Sequence, residues 1–125
     1  MPFSSFRNFS STLKELQISY SEDSFIQAVP FEISDYFRND LALMLEDGVV
    51  DNSERAICEN LVYPILKEVW KQYRRHFVLW SQELLSADAK LSGFPEYTLA
   101  RRSPLGKVVF DQPYLLLVEA KQDDF

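Results

Sequence analysis

The chain predicts a single α/β domain in which helices come first and strands follow. Three observations predict it. The length, 125 residues, suits one domain and is short for two. Apolar residues recur at helical spacing up to about residue 75. From His76 onward the pattern turns aromatic and β-branched, with alternating runs separated by turn residues. With 46% hydrophobic and 14% aromatic residues, and only three glycines and six prolines, the chain has the composition of a folded domain, not of a linker.

The elements follow in order. Phe3, Phe6, Phe9, Leu13, Leu16 and Ile18 are spaced mostly by three and predict a short amphipathic helix starting after Ser10 or Ser11. A polar turn at Ser21 to Ser24 and Pro30 end this stretch. Residues 1–30 read as an N-terminal arm packed against a main body of residues 31–125, because its aromatics need burial. Ser34 is the expected N-cap of the next helix, whose face carries Ile33, Phe37, Leu41, Met44 and Leu45. Gly48 is expected to end it as a C′ residue. Asp51 is expected to cap a further helix, with Glu54 reaching back. Its apolar face carries Ile57, Cys58, Leu61, Val62, Ile65, Leu66, Val69 and Trp70. Pro64 lies inside this run, which predicts a kink or break near Leu61 to Tyr63. Lys67, Lys71, Arg74 and Arg75 load the end of this helix with charge that suits its dipole.

Phe77 to Gln82 is the first expected strand, Ser86 to Gly93 is turn-like, and Glu96 to Arg102 is the second strand. Ser103-Pro104-Leu105-Gly106 is a turn, followed by a short apolar stretch, Val108 to Phe110, and an interruption at Asp111-Gln112-Pro113. Tyr114 to Lys121 is nearly all apolar and is expected to be a central strand covered on both faces. Such a strand ordinarily feeds another element, so the chain is expected to be a truncated piece of a larger α/β domain.

Composition excludes several functions. The net charge of −6 means that any nucleic-acid contact comes from a local patch, not from the overall field. One cysteine and one histidine exclude an internal disulfide, a thiolate zinc cage and a multi-histidine metal site. A metal would have to be held by oxygens, which points to magnesium or manganese. No leader pattern is visible, and the longest apolar run, Tyr114 to Val118, is far short of a membrane span. A cytoplasmic location is the expectation.

The residues that carry chemistry are Glu119-Ala120-Lys121 and Gly93-Phe94-Pro95-Glu96-Tyr97. Glu119 and Lys121, two apart on a strand, share a face. A carboxylate and an ammonium at the end of an apolar strand are costly unless paired or used. Pro95-Glu96, 22 intervening residues and then Glu119-Ala120-Lys121 resemble the motif of the PD-(D/E)XK nuclease superfamily. The order of elements is similar too: Glu59 on a helix, a strand near Phe77, a strand from Glu96 and a strand ending at Lys121. Ile57 to Phe125, preceded by Val50-Asp51-Asn52-Ser53, resembles an uncharacterised bacterial family with this core, whose chains continue into a further helix and strand. The first acidic residue here is Glu where the motif usually has Asp, one methylene shorter.

The resemblance implies a restriction-endonuclease-like core without its C-terminal helix and strand, with a mixed or antiparallel three-stranded sheet. It implies hydrolysis of nucleic-acid phosphodiesters, DNA before RNA, with Mg²⁺ or Mn²⁺. Glu96, Glu119 and the carbonyl of Ala120 would ligate the cation. Glu59 would support them or serve a second ion. Lys121 would orient or deprotonate the attacking water. Arg101, Arg102 and Lys107 are the candidate phosphate contacts, and a homodimer is compatible. The alternative is a module that keeps the fold and binds without cleaving, or an inactive fragment.

Register separates the readings. A hairpin closed by Ser103 to Gly106 and continued regularly puts Glu96 opposite Pro113. To face Glu119, Glu96 needs a wider connection, roughly Arg102 to Gln112, with Val108 to Phe110 outside the main ladder. The metal-site reading therefore predicts an interrupted hairpin.

Overall fold

The computed structural model describes residues 8–89 and 91–119. Two compact units are present. One comprises the stretch through Phe31 together with Leu84–Phe94. The other comprises Glu32–Glu83 together with the chain from Pro95 onward.

In the first unit, helix α1 spans Phe9–Leu16. It starts earlier than the apolar spacing suggests because the Asn8 carboxamide accepts from the Ser11 N–H at 3.1 Å, making Asn8 the N-cap. Phe9 meets Tyr20 edge-on at 5.5 Å, while Phe25, Ile26 and Val29 are exposed. Phe3 and Phe6 lie outside the described residues. The stretch read as turn-like holds a small hairpin, which pairs Leu85–Ser86 (β2) with Ser92–Gly93 (β3).

The second unit is a helical layer on a sheet. Helix α2, Asp35–Asp47, begins at the expected cap, with Ser34 Oγ accepting from the Phe37 N–H at 3.2 Å. The Ser34 N–H in turn donates to Glu68 Oε2 at 2.8 Å. Gly48 ends α2 in extended backbone, not in a left-handed turn. Its need for glycine is steric: a Cβ there would lie 2.6 Å from Met44 Cε and 2.7 Å from the Met44 carbonyl oxygen.

Helix α3, Glu54–Ile57, is capped by Ser53 and not by Asp51: Ser53 Oγ accepts from the Ala56 N–H at 3.0 Å. A π turn, Cys58–Val62, then leads into α4, Tyr63–Tyr73, with Pro64 in its first turn. The break expected at Pro64 takes this form. Pro64 has no N–H to give, and its ring crowds the carbonyl four residues back. Widening the preceding turn lets the helix continue, with the Tyr63 N–H bonding the Cys58 carbonyl.

Strands β1 (Phe77–Ser81), β4 (Tyr97–Ser103) and β5 (Gly106–Val118) form an antiparallel sheet in the order β1-β4-β5. The Trp70 indole N–H donates to the Phe77 carbonyl at 2.9 Å and ties α4 to β1. Cys58 and Tyr97 form the buried core with Val62, Tyr63, Leu66, Leu79 and Val118 around them.

The central strand is β4, where Thr98 and Ala100 are 1% and 0% exposed. The apolar run assigned to the centre instead forms part of β5, at the sheet edge, with Leu115, Leu116 and Leu117 at 53%, 43% and 48% exposure. An apolar run reports side-chain character; centrality needs hydrogen-bonding neighbours on both sides, and among the described residues only β4 has them. Asp111-Gln112-Pro113 does not split the strand, which runs unbroken from Gly106 to Val118, but it falls at the register shift between the Arg102–Phe110 and Ala100–Tyr114 pairs.

The hairpin keeps the tight turn yet does not stay regular. Ser103 pairs with Gly106, Arg102 with Phe110, Ala100 with Tyr114, and Leu99, Thr98 and Tyr97 with Leu116, Leu117 and Val118. Three register shifts thus do what a wider connection was expected to do. Phe110 stays in the ladder. Among the described residues, no helix is long and apolar enough to cross a membrane.

Candidate functional site

The start of β4 and the end of β5 lie beside the α3–π-turn segment, and an open cleft of about 910 Å³ forms where they meet. Ser53, Glu54, Arg55, Cys58, Glu59 and Tyr63 line it from the helical side, and Ser81, Gln82, Glu96 and Tyr97 line it from the sheet side. The π turn sets the helical wall by turning Cys58 inward onto Tyr97 while Glu59 faces the opening.

Glu96 is half-buried and follows a buried Pro95. Its carbonyl accepts from the Gln82 N–H at 3.0 Å, and its carboxylate lies 3.5 Å from the Gln82 side-chain amide. Gln82 holds this position with a left-handed backbone, φ 50°, which costs a residue with a Cβ about 1–2 kcal/mol. The ladder ends at Tyr97 opposite Val118. Glu96 and Glu119 are the next residues outward, just beyond the paired strands. Glu119 is exposed.

Glu59 shares the cleft with Glu96, and its carboxylate accepts from Arg55 Nε at 3.0 Å, one helical turn away. Ala120 and Lys121 lie outside the described residues. Among those described, no group of three or more His, Cys, Asp and Glu side chains is arranged to hold a metal ion. Glu96 lines this cleft and Glu119 is not among its lining residues; carboxylate oxygens are hard donors of the kind that suits Mg²⁺ or Mn²⁺.

Cys58 and Tyr97, 7% and 8% exposed, form the floor of the cleft. The Tyr97 hydroxyl donates to the Cys58 carbonyl at 3.4 Å. Burial, then Cys58 and Glu96 nearby, push the Tyr97 phenol up to about 12. Burial, reinforced by the charge of Glu96, also raises the Cys58 thiol. Cys58 is buried and packs in the core with Tyr97. Sequence reasoning missed Gln82 and Tyr97 as parts of this site. Tyr97, next to Glu96 at the start of an alternating strand, was the legible one; Gln82 is reached only through the β1–β4 pairing.

The predicted phosphate contacts lie elsewhere. Arg101 and Arg102 line a second cleft of about 780 Å³ near the other end of β4, with Arg75 and His76, and Lys107 is not among its lining residues.

The fold is therefore of the mixed α/β class, helices against an antiparallel sheet, with a cleft lined by Glu54, Glu59 and Glu96 beside the start of β4. Comparison with family models, curated proteins and solved structures finds no match to this chain.

Proposed function

We propose that the chain is a restriction-endonuclease-like domain whose Glu96 and Glu119 hold a divalent cation for hydrolysis of nucleic-acid phosphodiesters. The observation that carries this reading is the register of β4 on β5. A regular hairpin would have set Glu96 against Pro113; after three shifts Tyr97 pairs with Val118, and extending that register by one residue supports Glu96 opposite Glu119. These shifts interrupt an otherwise simple ladder, and they are what a pairing of two carboxylates with 22 residues between them requires.

The chain's own residues divide the work. Glu96 and Glu119 supply the ligands, with the Ala120 carbonyl as the motif implies. Gln82 orients Glu96. Tyr97 and Cys58 close the floor against water. Glu59 adds negative charge at the rim, moderated by Arg55. Lys121 orients or deprotonates the attacking water and steadies charge on the phosphate. The cation, when bound, polarises a phosphoryl oxygen.

A binding module that keeps this fold without cleaving is the second reading. The engagement of Glu59 by Arg55 and the lack of a three-carboxylate set among the described residues favour it. Incubation with plasmid and with single-stranded DNA and RNA in Mg²⁺ or Mn²⁺ tests the two. Nicking or degradation abolished in Glu96→Ala and Lys121→Ala supports the nuclease; intact substrate at every metal concentration supports the binding module.

A further inference from the structure

We propose that the cleft between the end of α4 and the β4–β5 turn is an anion site for the backbone phosphates of a nucleic-acid strand, built by Arg75, Arg101 and Arg102. The proposal rests on the reading above for the kind of polyanion, while the cleft itself is independent of the carboxylates.

The protein carries a net charge of −6, so its overall field repels polyanions. The lining of this cleft runs against that field: three arginines and a histidine, with no carboxylate among them. Among the described residues the ion pairs are Arg55 with Glu59 and Lys71 with Glu68, and neither draws on these three arginines. The wall behind them is fixed. The Arg102 N–H donates to the His76 carbonyl at 2.7 Å, and Arg102 Nη1 lies 3.4 Å from the Arg74 carbonyl. These bonds join β4 to the turn after α4.

Arg101 and Arg102 are consecutive on β4 and both are exposed. The ladder slips between Ala100 and Arg102, so the regular alternation of faces is broken at Arg101. Like charges gathered in one cleft repel, and a bound oxyanion relieves that repulsion. Guanidinium groups suit phosphate because their planar forks donate two parallel hydrogen bonds. A free phosphate needs only one such fork; a lined cleft with three matches a chain of them.

Position sharpens the claim. Glu96 precedes the first residue of β4, and Arg101 and Arg102 precede its last. Five residues of strand span on the order of 17 Å. A strand held by the arginines and presented to the carboxylates must therefore cover that length, and very short oligonucleotides cannot occupy both.

The test is binding of a fluorescein-labelled single-stranded 12-mer to the full chain, by anisotropy in EDTA across a salt series. The double variant Arg75→Ala/Arg101→Ala is expected to weaken binding about tenfold or more. It should also lower the slope of log affinity against log salt by about 1.4, the value for two lost single-strand phosphate contacts. Arg38→Ala, an exposed cation on α2, should bind within about twofold of the wild type. All three residues are exposed, and unchanged thermal melts verify that each variant folds. No binding by the wild type, an equal loss in Arg38→Ala, or equal competition by inorganic polyphosphate of matched charge overturns the proposal. EDTA removes any metal, so failure at Glu96 and Glu119 does not affect the result. Conversely, a wild type that cuts nucleic acid while the double variant binds normally sinks this site alone.

Discussion

Tyr97 shows how one buried side chain ties the site to the core. Its ring packs with Tyr63 at 5.5 Å, and its hydroxyl donates to the Cys58 carbonyl, which also accepts the π-turn bond from the Tyr63 N–H. Burial holds the phenol neutral up to about 12, whereas an unfolded tyrosine ionises near 10. Its contribution to stability is thus present below about pH 10 and is lost as pH rises through about 12. Absorbance titration at 295 nm should show a tyrosine ionising near 12 that is lost in Tyr97→Phe; an unchanged late phase in the variant would refute the assignment. Gly48 is a residue-scale case of a different kind. Gly48→Ala places a methyl group against the Met44 carbonyl, which cannot swing away as the Met44 side chain can. It should destabilise the protein by about 1–3 kcal/mol, read by urea denaturation.

Among the elements, α2 is held to α4 by a carboxylate. Glu68 is 7% exposed and accepts from the Ser34 N–H at the head of α2. That hydrogen bond holds its carboxyl below the usual range, against the opposing effect of burial, and Lys71 at 3.6 Å assists. The folded value lies below the unfolded one, so this stability is present above roughly pH 4.3 and is lost as pH falls through the folded value. Glu68→Gln should lower the melting temperature at pH 7 by several degrees and flatten its fall between pH 5 and 3. A parallel acid profile would show that Glu68 does not link the helices. The sequence made some elements legible and others not. Ser34 was readable as a cap because a serine before an apolar period has one common use. Asp51 misled because Ser53, two residues on, competes for the same role. The π turn was visible only as a conflict between Pro64 and a continuing apolar face. The edge position of β5 was not readable, since Leu115-Leu116-Leu117 looks alike in a central strand and an edge strand. Glu68 stood among Ile65, Leu66 and Val69, and a charge on an apolar face was the signal.

At the scale of the whole molecule, β4 is the organising strand. It is the centre of the sheet, its first end meets the π turn and Glu96, and its last end carries the arginines. Glu96 and Glu119 are proposed as a pair from the motif resemblance together with the order of the elements. Their register was legible as a requirement, but the bulges that meet it were not, because local sequence does not say where a ladder slips. The central claim is that the slipped ladder brings Glu96 and Glu119 to one cation. Calorimetric titration of the full chain with Mn²⁺ tests it most directly. The account predicts single-site binding in the wild type, with a rise in melting temperature as Mn²⁺ is added, and loss of both in Glu96→Ala and in Glu119→Ala. Equal Mn²⁺ binding in all three proteins, or none in the wild type, would contradict it.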